Sequence, residues 1–175
     1  MKSVLIANRG EVVVRVARTL REMGIRSVGV FAPADRGAPH TEAVDEARPV
    51  TSYLDIPSIL AAAKGVDALH PGWGFLSQNP AFADGCAAAG LVFVGPSGAA
   101  MRLMGDKAAA RATAIRAGVP VAPASDDLSP AAVAKLGLPV MLKAVAGGGG
   151  KGLRRIDDLG RIAEEVESAR REAKA

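Results

Sequence analysis

The chain has 175 residues, of which 49% are hydrophobic, 23% charged and 3% aromatic, and its net charge is +4. Its basic residues are dispersed and few aromatic side chains are available to stack on bases, which disfavours nucleic-acid binding. No apolar run approaches the roughly 20 residues of a membrane span, the amino terminus lacks a signal-peptide pattern, and one cysteine cannot form an internal disulfide, so we expect a cytoplasmic globular protein without a membrane partner.

Strand and helix patterns alternate through the first half of the chain. Strands are predicted at residues 3–7, 27–32, 66–69 and 91–94, with a further short strand at 48–50. Helices are predicted at residues 11–23, 40–47, 56–64 and 80–89, the last one with Asn79 as its N-cap. This alternation predicts an α/β fold, with an open parallel Rossmann-like sheet that carries helices on both faces.

The second half of the chain has a different organisation. Residues 97–117 are predicted to be helical with a break at Gly105, and an extended linker follows. A short helix, two strands and an amphipathic helix are predicted at residues 130–136, 140–143, 153–156 and 158–175. Two strands with one helix are marginal alone, so we expect an incomplete domain here, with a natural small module as the alternative. The predicted domains are residues 1–95, a helical linker at 96–123 and a third segment at 124–175.

The strongest chemical signal lies between the last two predicted strands. Lys143 follows three apolar residues, and four consecutive glycines come shortly after it: Gly147, Gly148, Gly149 and Gly150. We expect an ammonium group in an apolar strand to need a compensating anion, because desolvation of a charge is costly. Glycine amides can approach a ligand without interference from a Cβ. The pattern predicts a polyphosphate site, and a flexible linker with a solvated lysine is the alternative.

Two familiar nucleotide motifs do not fit this chain. Lys151 is followed by Gly152 and not by Ser or Thr, so the glycine run is not a Walker A motif. The turn after the first strand has one glycine, Gly10, which disfavours a nicotinamide cofactor. Lys107 follows Asp106, a predicted helix N-cap, and is of interest because it could help Lys143 to neutralise one polyphosphate.

A second candidate site follows the predicted strand at residues 66–69. The sequence His70–Pro71–Gly72–Trp73–Gly74–Phe75 lies at the carboxyl end of that strand, where ligands of parallel sheets bind. Trp73 either is presented to a ligand or plugs the rim of the sheet. His70 has no visible catalytic partner and is expected to be a packed side chain. We assign no catalytic residue and no metal ligand within the chain.

Taken together, these segments resemble the biotin carboxylase family of the ATP-grasp superfamily. The resemblance rests on an ordered set of motifs that extends over essentially the whole chain: Asn8–Arg9–Gly10–Glu11, Ser52–Tyr53–Leu54, His70 to Ser77, Gly95–Pro96, Met104–Gly105–Asp106–Lys107, Gly118–Val119–Pro120, and Leu142 to Gly152. It implies a preATP-grasp domain, a helical linker and the start of the ATP-grasp lid. Trp73 departs from the family pattern, in which tyrosine is usual.

The resemblance also implies a reaction and a set of site residues. The family carboxylates carrier-bound biotin with bicarbonate and ATP, through carboxyphosphate and with magnesium. Its implied partners are a biotin carboxyl carrier protein and a carboxyltransferase component. A homodimer is one implied assembly of the full enzyme. The implied ATP contacts are Lys107, Lys143, Gly147, Gly148, Gly149, Gly150 and Leu153, and the implied approach of biotin is at Trp73 and Gly74.

Other features of the family limit what these 175 residues are expected to do. The family's metal ligands, bicarbonate ligands and base belong to the later part of its chain. The fragment alone is therefore expected to be inactive, because phosphoryl transfer depends on a complete set of positioned charges. The alternatives are a fragment of another ATP-grasp ligase and a non-catalytic interaction or assembly module.

Overall fold

The structure is a computed structural model that describes residues 1–143 and 153–174, with the backbone alone for residue 170 and residues 172–174. The chain divides into two compact units, Met1–Arg102 and Leu103–Ala175. The predicted three-part division at residues 95 and 123 stays a prediction. Within the described part of the chain, no helix is both long enough and apolar enough to cross a membrane.

Unit 1 (Met1–Arg102) is built on a five-stranded sheet in which all neighbouring strands are parallel. Its strands are β1 (Ser3–Ile6), β2 (Arg26–Phe31), β3 (Glu46–Pro49), β4 (Ala68–His70) and β5 (Val92–Phe93). They lie in the order β3-β2-β1-β4-β5, so that β1 is at the centre. The run of four buried residues in β1 reflects this position, because a central parallel strand is covered on both faces.

Helices cover both faces of this sheet. The helices of this part of the chain are α1 (Glu11–Glu22), α2 (Pro39–Glu42), α3 (Ile56–Ala62), α4 (Pro80–Ala88) and α5 (Gly98–Gly105), the last of which spans the boundary between the two units. Side chains of α1 pack with Val4 and Ile6 on one face of β1, and side chains of α3 and α4 pack with Leu5 on the other. The alternation of β1 side chains between two apolar layers confirms the predicted parallel sheet with helices on both faces.

The prediction of one helix over residues 40–47 is wrong. Helix α2 ends at Glu42, and β3 begins at Glu46. Asp45 accepts hydrogen bonds from the backbone N–H and the hydroxyl of Ser27, at 2.8 and 2.7 Å. These bonds tie Asp45 to the first residues of β2, and the chain continues from there as an extended edge strand.

Unit 2 (Leu103–Ala175) has a smaller core. It contains α6 (Lys107–Arg116), α7 (Pro130–Leu136), β6 (Val140–Lys143), β7 (Leu153–Ile156) and α8 (Ile162–Lys174). The two strands are antiparallel. Val133, Ile156 and Ile162 are its buried centre, so one face of the two-stranded sheet packs against α7 and α8. Helix α8 begins later than predicted, because a 3₁₀ turn at Leu159–Arg161 precedes it.

Candidate functional site

The strand order of unit 1 creates a crevice at the carboxyl edge of the sheet. The chain leaves β1 towards α1 on one face, and it leaves β4 towards α4 on the opposite face. Because β1 and β4 are neighbours, their following loops diverge at this point. Open α/β sheets bind ligands at such a change in strand order. The loop from Pro71 to Leu76 is therefore placed as the sequence predicted.

Asn8 joins the loops that follow β1 and β4. Its side chain is only 1% exposed. The amide Nδ2 donates to the backbone carbonyl oxygens of Pro71 at 2.8 Å and Trp73 at 2.9 Å. The amide Oδ1 accepts from the backbone N–H of Arg9 at 2.9 Å. Both amide hydrogens and the amide oxygen are thus engaged, as the burial of a polar side chain requires.

Gly72 lies between the two loop residues whose carbonyls Asn8 binds. Its φ is +65°, in the left-handed region of backbone conformation. A Cβ at this position would lie 2.4 Å from Asn8 Nδ2. The backbone N–H of Gly72 donates to His70 Nδ1 at 3.0 Å. Position 72 therefore needs glycine for two reasons, the left-handed backbone and the contact with Asn8.

His70 is half-buried at the end of β4, as expected for a packed histidine. Burial lowers the pKa of His70 below its usual value. Since Nδ1 accepts a hydrogen bond from Gly72, the neutral ring carries its proton on Nε2. The geometry gives His70 a role in holding the loop.

Trp73 is 62% exposed and so does not plug the rim of the sheet. Leu76, which is buried, fills that place. Phe75 has a φ of +41° and its ring lies 5.3 Å from the ring of Tyr53. The loop therefore carries one aromatic ring packed on unit 1 and one, the indole, directed to solvent.

A polar network that the sequence analysis did not assign lies beside this loop. Arg9 forms an ion pair with Asp35 at 2.7 Å, and the Tyr53 hydroxyl donates to the other oxygen of Asp35 at 2.7 Å. Burial, together with the hydrogen bond to Asp35, raises the pKa of Tyr53 to about 12. Arg9 and Tyr53 both belong to the motifs that carry the family resemblance. Only their tertiary contact with Asp35 shows that they act together.

In unit 2 the two strands place Lys143 beside Leu153. These residues are cross-strand partners in the antiparallel register, and both side chains are exposed. Met141 and Arg155 form the next pair on the same face. Cross-strand partners lie about 5 Å apart at Cβ, so this face presents a cation next to an apolar side chain.

The argument that Lys143 is desolvated inside an apolar strand is wrong. Its side chain is exposed at the last residue of β6, on the face opposite the core residues Val140 and Leu142. The period of two in a strand directs alternate residues to opposite faces, and Lys143 falls on the outer one. Among the described residues, Lys143 has no ion-pair partner.

The remaining predicted site residues have different outcomes. Lys107 is the first residue of α6, and Asp106 is the N-cap, as predicted, since its Oδ1 accepts from the Ala109 N–H at 2.9 Å. The glycines Gly147, Gly148, Gly149 and Gly150 lie outside the described residues. Trp73 and Gly74 belong to unit 1, and Lys107, Lys143 and Leu153 belong to unit 2. The ligands of all these residues stay predictions.

The titratable side chains of the described residues provide two further observations. Cys86 is buried in α4 as a small apolar residue, and burial raises the pKa of its thiol to about 11. Across residues 1–143 and 153–174, no three side chains of His, Cys, Asp or Glu converge as metal ligands do.

Comparison with known proteins identifies the family. The sequence model of the biotin carboxylase N-terminal domain family matches residues 1–101, which is more than half of the chain. The chain belongs to this family. Residues 106–175 match the ATP-binding domain of the carbamoyl-phosphate synthase L chain. The family resemblance inferred from the motifs is thus confirmed.

Individual biotin-dependent carboxylases are similar to the chain along its whole length. The mitochondrial methylcrotonoyl-CoA carboxylase subunit alpha of Rattus norvegicus is 45% identical over 98% of this chain and 26% of its own length. The chloroplastic biotin carboxylase of Arabidopsis thaliana is 44% identical over 98% of this chain and 35% of its own length. The chain thus spans about a quarter to a third of these relatives.

Solved structures of the family share the fold of the chain. The biotin carboxylase of Campylobacter jejuni, in its β-γ-ATP complex, superimposes with a TM-score of 0.87 at 42% identity. The superposition covers 98% of this chain and 42% of that one. The predicted fold class, a parallel α/β sheet followed by ATP-grasp elements, is confirmed.

Proposed function

We propose that this chain supplies the N-terminal part of a biotin carboxylase, an ATP-dependent ligase that carboxylates carrier-bound biotin with bicarbonate through carboxyphosphate. The family membership of residues 1–101 and the match of residues 106–175 to an ATP-binding domain support this proposal. The similarity to a biotin carboxylase solved with a nucleotide supports it further.

The proposed nucleotide site is supported by the residues on the outer face of the β6–β7 sheet. Lys143 and Leu153 are exposed cross-strand partners there, and Met141 extends the apolar part of the face. An adenine ring needs an apolar surface, whereas a phosphate tail needs cations and N–H donors. We assign Leu153 to the adenine ring and Lys143 to the phosphates.

Other residues are proposed on the strength of the family resemblance. Lys107 is proposed as a second phosphate contact, and its exposed position at the first turn of α6 is compatible with that role. Gly147, Gly148, Gly149 and Gly150 are proposed as the phosphate flap. Trp73 and Gly74 are proposed as the approach of biotin, supported by the exposure of the indole at the ligand-binding edge of the sheet.

The proposed reaction also requires cofactors, a second substrate and protein partners. ATP and magnesium are proposed as cofactors, and we assign magnesium no ligand in this chain. Bicarbonate is proposed as a substrate, with a biotin carboxyl carrier protein and a carboxyltransferase component as protein partners. A homodimer of the full enzyme and a cytoplasmic location complete the proposal.

Complementation tests the proposed function directly. The 175-residue chain alone is expected to hydrolyse no ATP above background, because phosphoryl transfer needs a complete set of positioned charges. We expect bicarbonate-dependent carboxylation of free biotin when the chain is joined to the part of the Campylobacter jejuni biotin carboxylase that follows the matched region. In this chimera, Lys143→Gln should raise the KM for ATP roughly 10-fold or more, the cost of a lost bond to a charged group.

Lys135→Gln is the matched control for this experiment. It removes the same charge from an exposed position of unit 2, on α7, which packs on the face of the two-stranded sheet opposite Lys143. An equal effect of the two substitutions would contradict the phosphate contact of Lys143. A chimera that folds and binds ATP but does not carboxylate biotin would instead indicate another ATP-grasp ligase. No nucleotide binding at all would indicate an interaction or assembly module.

A further inference from the structure

We propose that Asn8 is a positioning residue for Trp73, and that it holds the indole in place as a preformed surface for the flat ring of the substrate. The inference rests on the proposed function for the identity of that ring, the fused ureido ring of biotin. The positioning itself depends only on contacts within unit 1, and it can be tested without any substrate.

The Asn8 amide bonds to the loop at two points. Nδ2 donates to the carbonyl oxygens of Pro71 and Trp73, the two residues on either side of Gly72. One side chain from the loop after β1 therefore binds two backbone carbonyl oxygens of the loop after β4. Because Asn8 is buried and its bond to the Pro71 carbonyl is buried with it, removal of the amide donors leaves that carbonyl without its partner.

The loop at Gly72 leaves no space for a side chain next to Asn8. A side chain at position 72 would overlap Asn8 Nδ2 and Val12, so the backbone of the loop lies directly on the amide. In this contact Gly72 and Gly74 are both in the left-handed region, which glycine adopts without the steric cost of a Cβ.

A second anchor holds the far end of the loop. The ring of Phe75 lies against Tyr53, whose hydroxyl donates to Asp35. Asp35 in turn pairs with Arg9, the residue next to Asn8. The segment between the two anchors consists of Trp73 and Gly74, and the indole projects from it into solvent.

This arrangement suits recognition of a flat, partly apolar ring. A large exposed indole contributes little to the stability of unit 1, yet the carbonyl of Trp73 is bonded to Asn8, and Phe75, two residues further on, packs on Tyr53. A fixed aromatic surface loses less conformational entropy when a ligand stacks on it. Asn8 thus acts on the substrate through Trp73, without touching it.

The two asparagines of the chain, Asn8 and Asn79, offer a matched test. Asn8 uses its amide as a donor, whereas Asn79 uses its oxygen to accept from the Phe82 N–H at the start of α4. Asn8→Asp keeps the size of the side chain but replaces the donor with an acceptor that faces two carbonyl oxygens. Asn79→Asp should leave its cap intact, because aspartate caps helices as well as asparagine does.

Trp73 is the only tryptophan of the chain, so its fluorescence reports on the loop. In the folded full chain, Asn8→Asp should lower the fluorescence anisotropy of Trp73 and increase its quenching by acrylamide, and Asn79→Asp should change neither. Circular dichroism establishes that both variants are folded. If Asn8→Asp does not fold, Asn8→Ala, which removes the donors without adding a charge, replaces it. A folded Asn8 variant with the anisotropy and quenching of the parent would overturn the inference.

Kinetics of the chimera test the link to the substrate. Asn8→Asp should raise the KM for biotin by roughly 2- to 10-fold, the factor that corresponds to re-ordering one side chain, and leave the KM for ATP unchanged. An unchanged KM for biotin despite altered fluorescence would overturn the role in recognition. If the parent chimera carboxylates no biotin, the proposed function fails, and the fluorescence comparison still decides whether Asn8 positions Trp73.

Discussion

Gly72 and Asn8 illustrate how much a single residue pair can decide in this protein. Both residues were visible in the sequence as parts of separate motifs, 64 positions apart. Only the parallel pairing of β1 with β4 brings them together, with Gly72 lying against the Asn8 amide. The sequence could predict a tight loop from its glycines, but it could not predict which side chain holds that loop.

His70 gives unit 1 a predicted pH dependence. Its pKa is lowered by burial from the usual value of 6.5, so the unfolded chain takes up a proton at a higher pH than the folded chain does. The contribution of His70 to stability is therefore complete above pH 6.5 and is lost as the pH falls below that value. Urea unfolding at about pH 7.5 and about pH 5.5 measures this loss.

His70→Asn is the control for this dependence. The amide oxygen of asparagine can accept from the Gly72 N–H in place of Nδ1, and asparagine does not titrate in this range. The variant should therefore lose less stability than the parent between the two pH values. An equal loss in both proteins would assign the pH dependence to other groups.

Most helices and strands were predictable because their signals are local. The N-caps Asn79 and Asp106 begin α4 and α6 as predicted, since a cap depends on residues within one helical turn. The helix predicted at residues 40–47 failed for the opposite reason. The second half of this segment is not helical, because hydrogen bonds from Ser27 to Asp45 hold it beside β2. Local helix propensity does not include such a contact between two elements.

Helix α4 provides a prediction at the scale of one element. Phe82 is fully buried and meets the ring of Phe93 edge to face, with the ring centroids 5.9 Å apart. Phe82→Ala should reduce the free energy of unfolding of unit 1 by roughly 3–5 kcal/mol, because it removes apolar contacts and leaves a cavity. Urea unfolding followed by circular dichroism measures this change.

Phe82→Leu separates packing from the presence of the aromatic ring. It keeps most of the buried volume and should be less destabilising than Phe82→Ala. A loss below about 1 kcal/mol for Phe82→Ala would mean that the α4 layer is not tightly packed on the sheet, contrary to the complete burial of this side chain.

At the scale of the whole molecule, the two units differ in how much core they contain. Unit 1 has an apolar layer on each face of a five-stranded sheet, whereas unit 2 has a two-stranded sheet with three residues at its buried centre. Expressed separately, Met1–Arg102 should give a cooperative thermal transition, and Leu103–Ala175 should melt at a lower temperature or without cooperativity.

Circular dichroism melts of the two separate polypeptides decide this prediction. The undivided chain serves as the reference for the transition of unit 1. A cooperative transition of Leu103–Ala175 at or above the melting temperature of Met1–Arg102 would contradict it. That outcome would show that unit 2 gains more from its small core and its helices than two strands ordinarily provide.

The sequence alone determined the fold class, a parallel sheet of alternating strands and helices, and the family, because these follow from periodicity, capping and motifs that are contiguous in the chain. Tertiary structure decided two things. It placed Lys143 on the exposed face of its strand, and it joined Asn8 to the Trp73 loop and Arg9 to Asp35 and Tyr53. The physical reason is that side-chain desolvation and hydrogen bonding depend on which elements become neighbours, and that is settled only when the sheet and its helices pack.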